Sequence, residues 1–412
     1  MDSNSIVIVG GGHAGFQLAA ELRQSGCEER ISLINNEPHL PYQRPPLSKE
    51  FLKGGGDSRD VIFRSEAFFK DHRIELVSDH VAAVDCTARR ISLQKGGSLK
   101  YSHLVLATGA RNRSLEMPNA DHENVRYLRS LADSEAIRQR LDWAKQVVVI
   151  GAGFIGLEFA TTAAAKGLEV NIVELAPRIM ARAVSPEVST HFQARHEAAG
   201  CRIHCARSVF AIEALNGRLQ CVVLDDGRKL AADLVIVGIG VVPNVELAMA
   251  LGQSSREGIL VNQYLSTVDP SISAIGDCAL FACGQRKAAV RIESVSNATD
   301  QAKCLAARLI GHVRPFDTVP WFWSDQGGAK LQIAGLIEGS DERVVRGDPD
   351  EDSFSVFCYR DGALLGVETV NRAGDHMAAR RLLAAGATIH PDEAADLSFD
   401  LKRALSDKLQ GS

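Results

Sequence analysis

Short apolar runs that stop at glycine and give way to a helical repeat set the pattern of this chain. Ser5-Ile6-Val7-Ile8-Val9 ends at Gly10-Gly11-Gly12, and Phe16, Leu18, Ala19 and Leu22 then mark the apolar side of a helix ending near Gly26. Ile31-Ser32-Leu33-Ile34 reads as the second strand. The same order returns at Gln146-Val147-Val148-Val149-Ile150, Gly151-Ala152-Gly153 and Val170-Asn171-Ile172-Val173. Leu104-Val105-Leu106-Ala107-Thr108-Gly109 and Leu234-Val235-Ile236-Val237 are continuous apolar runs, the signature of strands buried on both faces. A helix is expected from about Asn297 to Ile310. From Pro320 onward the period changes to alternation, in Leu331–Ala334, Glu342–Val345, Phe354–Phe357 and Leu364–Glu368, which predicts a smaller α+β domain with an antiparallel sheet.

The glycines carry the first chemistry. Gly10, Gly12 and Gly15 fill G-x-G-x-x-G, and so do Gly151, Gly153 and Gly156, here with Phe154 and Ile155 between the last two. The first glycine allows the tight strand-to-helix turn, the second lets backbone approach a pyrophosphate, and the third lets helix and strand pack closely. The helix N-terminus then offers free N–H groups and a positive dipole end to the phosphates. An acid closing the second strand accepts hydrogen bonds from the adenosine ribose. Glu37, with Asn36 as neighbour, fits that role in the first copy and Glu174 in the second; an ordinary solvated loop carboxylate is the alternative for Glu37, which its spacing from Gly10 disfavours. A carboxylate at Glu174 accepts from a free 2′-hydroxyl and repels a 2′-phosphate, and Arg178 stands too far along the loop to cradle one, so NADH is expected over NADPH.

Composition narrows the class. At 412 residues the chain exceeds a single typical core, and with 45% hydrophobic and 24% charged residues it reads as a globular enzyme of two or three domains. A net charge of −5 argues against general affinity for nucleic acid. No apolar run reaches the roughly 18–20 residues that span a bilayer, and the first strand begins too early for a signal peptide. Nine scattered cysteines make no disulfide framework, so a cytoplasmic location is expected.

Several further stretches, in this order, resemble the FAD-dependent, NADH-using ferredoxin reductases that serve bacterial haem-thiolate monooxygenases and ring-hydroxylating dioxygenases. They are Pro45-Pro46-Leu47-Ser48-Lys49, Leu106-Ala107-Thr108-Gly109, Gly151 to Glu158, Gly276-Asp277-Cys278 and Trp321-Phe322-Trp323-Ser324-Asp325-Gln326. The resemblance implies two Rossmann-like domains in the glutathione-reductase-like arrangement plus the small C-terminal domain. It divides the chain into an FAD domain over 1–112 and 244–319, an NADH domain over 113–243 and a C-terminal domain over 320–412. The second glycine copy together with Asp277 assigns the first site to FAD, with Asp277 accepting from the ribityl chain, and the second to NADH. Ala107, Thr108 and Gly109 close the first FAD segment. The resemblance also sets Ala14, Val81, Arg129, Glu293, Val295 and Trp323 against the FAD. Taken alone, Ala14 and Val81 are packing residues and Arg129 a helix-flanking arginine. Lys49 either reaches the flavin ring or is a surface lysine; the residues leave both open. Phe154 and Glu158 lie one helical turn apart on one face. A carboxylate there can hold the nicotinamide carboxamide, and the phenyl ring can cover the flavin; core packing and a favourable first-turn charge are the alternatives.

The missing cysteines decide where electrons leave. Disulfide reductases of this architecture carry a redox pair just after the second strand, and peroxidases and oxidases a single cysteine; Pro41 to Lys49 holds none. No C-x-x-C occurs, Cys278 belongs to the flavin motif and is a poor partner for Cys283, and on a strand His204 points away from Cys201 and Cys205, which disfavours a metal site. The expected acceptor is therefore external: a 2Fe–2S ferredoxin, fed one electron at a time by a flavin that takes two. Arg64 and Lys303 are candidates for steering an acidic partner, as are Lys402 and Lys408 more weakly, and Trp323 is the candidate contact; a solvated charged face is the alternative for all four cations. One family member has arginine at the place of Lys303, and the planar fork and the ammonium are not equivalent. A monomer or weak dimer is expected. Rival readings are a rubredoxin reductase or a dioxygenase-type reductase, and, further off, an NADH oxidase or a redox-sensing flavoprotein of the apoptosis-inducing-factor type.

Overall fold

A computed structural model of the chain describes residues 4–54, 56–249, 252, 254–282 and 289–401; Cys283, Lys402 and Lys408 lie outside them. The described chain divides into two compact units. One holds residues 1–44, 57–111 and 241–318, the other 45–56, 112–240 and 319–412. The double-proline segment thus goes with the second unit, and the stretches expected to form the NADH and C-terminal domains share that unit.

The first unit is built on a five-stranded parallel sheet in the order Ile272–Ala274, His103–Leu106, Ser5–Val9, Arg30–Ile34, Ile74–Val77. Ser5–Val9 is central, with Val7 registered against Ser32 on one side and Leu104 on the other. All five of its residues are buried, which is why it reads as an unbroken apolar run rather than an alternation. Helices His13–Gln24 and Val295–Leu309 pack against each other in this unit. The second helix starts earlier than the sequence pattern indicates because Ser294 caps it, its hydroxyl accepting from the Asn297 N–H at 3.1 Å.

The second unit repeats the plan with a parallel sheet in the order Arg202–His204, Glu169–Val173, Gln146–Ile150, Leu234–Val237, Val125–Tyr127. Its tail is a five-stranded antiparallel sheet in the order Trp321–Gln326, Ala329–Gly335, Ala363–Val370, Ser353–Arg360, Glu342–Asp348. The Trp-Phe-Trp segment, read from the sequence as the entrance to this domain, is itself the edge strand, because six successive residues find ladder partners from Ala334 to Ala329. Helix Ala373–Ala384 covers one face, where Phe357, Tyr359, Val367, Ala379 and Leu382 form a closed core.

One buried charge ties the tail sheet to its neighbour within this unit. Glu368 has no solvent exposure, and its two carboxylate oxygens accept from the Ser185 N–H at 3.0 and 3.1 Å, at the start of helix Pro186–Ala198. Burial pushes its pKa up to about 7; the Ser185 donor and Arg178 pull it down, and Glu187 pushes further up. A carboxyl that ionises at a higher pH in the folded chain than in the unfolded one binds more protons when folded, so stability falls as pH rises from 4.5 to about 7. The Glu368→Gln variant is expected to flatten this slope, removing a penalty of roughly 3 kcal/mol above neutral pH. Thermal melting across that pH range measures it.

Two candidate dinucleotide sites

In the first unit the strand Ser5–Val9 turns at Gly10, whose φ of +116° favours glycine, and any Cβ there would strike the Ala107 carbonyl. A Cβ on Gly15 would strike the Gly10 carbonyl, which is the close helix–turn approach the third glycine permits. Gly12 differs: nothing lies within 4 Å of where its Cβ would stand. It caps a 12-residue helix, and the space beside its Cα is open at the helix's positive end. That cradle fits the pyrophosphate of a dinucleotide such as FAD.

Around it, Glu37 takes one hydrogen bond from the Tyr42 hydroxyl and one from Arg44 Nη2 at 2.5 Å. Burial works against the Arg44 charge but is outweighed by Tyr42, Glu37 and Asp277, so its pKa lies above the usual value. Arg44 thus joins the two acids proposed for the ribose and ribityl ends, a role the sequence reading missed. Asn36 is exposed, whereas Asn35 organises the loop: its amide donates to the His39 carbonyl at 2.7 Å and its side chain lies against Gly11. An Asx residue at a strand end is the signal that could have shown this. Thr108 donates to the Asn244 carbonyl at 2.6 Å, and the Asn244 amide returns a bond to the Thr108 carbonyl at 2.8 Å, clasping two of this unit's three chain segments.

Asp277 sits on a 3₁₀ turn held by Gln301, which accepts from Gly276 N–H at 2.7 Å. Ala14 is buried and its methyl lies against Gly276; Val81 is buried at the start of its strand. Glu293 pairs with Arg291 at 2.5 Å, and Val295 opens its helix. Cys278 is fully buried and its thiol is pushed up by that burial, a state unsuited to redox exchange. Arg64 is exposed with its guanidinium over Phe68, and Lys303 is exposed on its helix.

The second unit carries the matching turn. Gly151 has φ +100° and its Cβ would strike the Gly238 carbonyl; Gly156 would strike that of Gly151, and Gly153 opens onto empty space. Glu174 holds the turn directly, accepting from Ala152 N–H at 2.7 Å and Ala176 N–H at 2.8 Å. Arg178 is turned away onto the carbonyls of Ala181 and Ser185. Ile155 is exposed and Phe154 half-buried, its ring 4.4 Å from that of Phe322.

Glu158 is the hub of this unit. It is 4% exposed and accepts from three side chains: Ser48 Oγ at 2.5 Å, Ser324 Oγ at 2.6 Å and Lys49 Nζ at 3.0 Å. Ser48 and Lys49 close the 3₁₀ turn Pro45–Ser48 and begin the short helix Glu50–Lys53. On the edge strand Phe322, Ser324 and Gln326 share one face, as alternation requires. Phe322 meets Phe154 and Ser324 meets Glu158, since two strand residues and one helical turn cover similar distances. Trp323, on the other face, stacks on Trp321 at 5.4 Å. The sequence reading gave no role to Ser48, Ser324 or Gln326; polar residues at inward positions of an aromatic strand were the available signal. Arg129 precedes helix Leu131–Leu141, its N–H donating to Asp133. His204 Nε2 donates to Asn171 Oδ1 at 3.0 Å, and among the described residues no cluster could hold a metal.

Two glycine turns, each followed by an acid at the end of the next strand, define a two-dinucleotide oxidoreductase. Residues 4–302 match the family model described as pyridine nucleotide-disulphide oxidoreductase, and residues 321–405 match one described as reductase C-terminal. Rhodocoxin reductase from Rhodococcus erythropolis is 47% identical over 98% of this chain and 94% of its own length. The crystal structure of the ferredoxin reductase for the CYP199A2 system from Rhodopseudomonas palustris is 56% identical, with TM-score 0.96 and coverage of 98% and 100%. The covalent putidaredoxin reductase–putidaredoxin complex matches at 38% identity and TM-score 0.95, covering 98% of both chains. The chain belongs to the pyridine nucleotide-disulphide oxidoreductase family, within its ferredoxin reductases, and is an FAD- and NAD(P)H-dependent oxidoreductase. No helix among the described residues is long and apolar enough to cross a membrane.

Gly10→Ala and Gly151→Ala each force a side chain into a backbone carbonyl at positive φ. Each is expected to cost about 2–4 kcal/mol of stability. Melting of the purified variants reads this, and for Gly10→Ala the visible flavin absorbance should fall with it.

Proposed function

We propose that this enzyme takes a hydride from NADH and delivers single electrons to a 2Fe–2S ferredoxin that feeds a haem-thiolate monooxygenase. The observation that carries the reading is the segment Pro41–Lys49. Where related disulfide reductases keep a redox pair it has none, and it ends instead in Ser48 and Lys49, both bonded to Glu158. With no thiol acceptor in that place, electrons go to an external carrier. FAD, when bound, supplies the conversion of a two-electron donor into one-electron delivery.

The residues divide the remaining tasks. In the first unit Gly10, Gly12 and Gly15 receive the FAD pyrophosphate, Glu37 its ribose and Asp277 its ribityl chain. In the second, Gly151, Gly153 and Gly156 receive the pyrophosphate of NADH and Glu174 the adenosine ribose. Glu174 keeps acceptor capacity beyond its two backbone donors, and its charge disfavours a 2′-phosphate; the Arg178 guanidinium, spent on two carbonyls, offers that phosphate no partner. Glu158 accepts from the nicotinamide carboxamide. About four acceptor positions exist on a carboxylate, and Ser48, Ser324 and Lys49 fill three. The fourth orients the ring, and orientation is the main contribution a hydride transfer needs from the protein. Arg64 and Lys303 steer an acidic ferredoxin, and Trp323 contacts it.

NADH-driven cytochrome c reduction, with and without added 2Fe–2S ferredoxins and rubredoxin, tests the reading. A 2Fe–2S ferredoxin is expected to stimulate the rate strongly, NADPH to serve poorly, and no stimulation by any carrier would overturn it. Glu174→Ala is expected to weaken NADH binding about tenfold while FAD stays bound.

A further inference from the structure

Beyond Glu158 the hydrogen bonds continue inward. Ser324, which donates to Glu158 at 2.6 Å, itself accepts from Gln326 Nε2 at 3.1 Å. The same amide nitrogen faces Met180 Sδ at 3.6 Å, and Gln326 Oε1 lies 2.9 Å from His196 Nε2. A thioether has no hydrogen to give, so the group facing Met180 must be the NH2 end of the amide. That fixes the amide oxygen toward His196, and the imidazole must then carry its proton on Nε2 to donate. The result is a one-way chain, His196 to Gln326 to Ser324 to Glu158, in which every hydrogen points toward the carboxylate. Gln326 is 1% exposed, Ser324 has no exposure and His196 is 4% exposed, so water cannot substitute for any link. Burial holds the His196 pKa below its ordinary value, against the Gln326 bond and with Arg195, which keeps the ring neutral at physiological pH.

We propose that His196 is a positioning residue of the nicotinamide site, fixing the Glu158 carboxylate through Gln326 and Ser324 so that its one open acceptor position meets the carboxamide of NADH. Nothing in the chain's local sequence joins these four residues; helix Pro186–Ala198, strand Trp321–Gln326 and helix Phe154–Ala165 bring them together within the second unit. A hydrophobic replacement of His196 would leave Gln326 Oε1 buried without a donor, and the amide could recover a partner only by leaving Ser324. Ser324 would then be free to turn its hydroxyl, and Glu158 would lose its fixed orientation.

The proposal rests on the reading that Glu158 receives the nicotinamide. It is tested on the FAD-loaded enzyme by calorimetric titration with NAD+ and with ADP-ribose, which lacks the nicotinamide. For His196→Leu and Gln326→Leu, the Kd for NAD+ is expected to rise about tenfold while that for ADP-ribose stays within about twofold. His196→Gln, which keeps an N–H donor, should recover most of the loss. Equal weakening of both ligands would reduce the chain to packing and overturn the proposal. So would unchanged NAD+ binding in both leucine variants beside a clear loss in Glu158→Ala. Unchanged NAD+ binding in Glu158→Ala would bring down the reading of Glu158 itself, and the proposal with it.

Discussion

A carboxylate buried away from water costs several kcal/mol unless its oxygens are met by donors, and Glu158 is met by three drawn from two distant parts of the chain. This one requirement organises the second unit. It holds the double-proline turn with Ser48 and Lys49 to the start of helix Phe154–Ala165, and it holds the edge strand of the tail sheet through Ser324. Removing a single donor would leave a buried carboxylate short of one hydrogen bond, so these segments pack as a set. Meeting the carboxylate with donors from both oxygens' sides gives it one favoured orientation.

A fixed orientation suits the chemistry. Hydride transfer calls for placement more than for proton-transfer groups, and the second unit places its elements by saturation. Glu174 is fixed to the glycine turn by two backbone N–H groups, Glu158 by three side chains, and Phe154 by the Phe322 ring. Among the described residues the cysteines take no part in this. Cys278 and Cys358 are buried and their thiols are pushed upward by that burial, which makes them packing residues in a family whose other branches use thiols as acceptors.

The sequence by itself determined the periodic elements and both glycine turns. A glycine that must sit at positive φ against a carbonyl, followed by a helix start and then an acid at the next strand end, is local chemistry on contiguous residues. It is legible for that reason at Gly10 and Glu37 and again at Gly151 and Glu174. The lack of a thiol before Lys49 was equally readable. What only the tertiary structure decided is which polar groups meet. Arg44 between Glu37 and Asp277, the Thr108–Asn244 clasp, and the chain from His196 to Glu158 each join residues far apart in sequence, and their partners follow from how strands and helices pack. Ser324 and Gln326 look like ordinary polar residues between aromatics until the strand's alternation turns them inward. Burial then makes their hydrogen bonds obligatory, because no water is left to satisfy them.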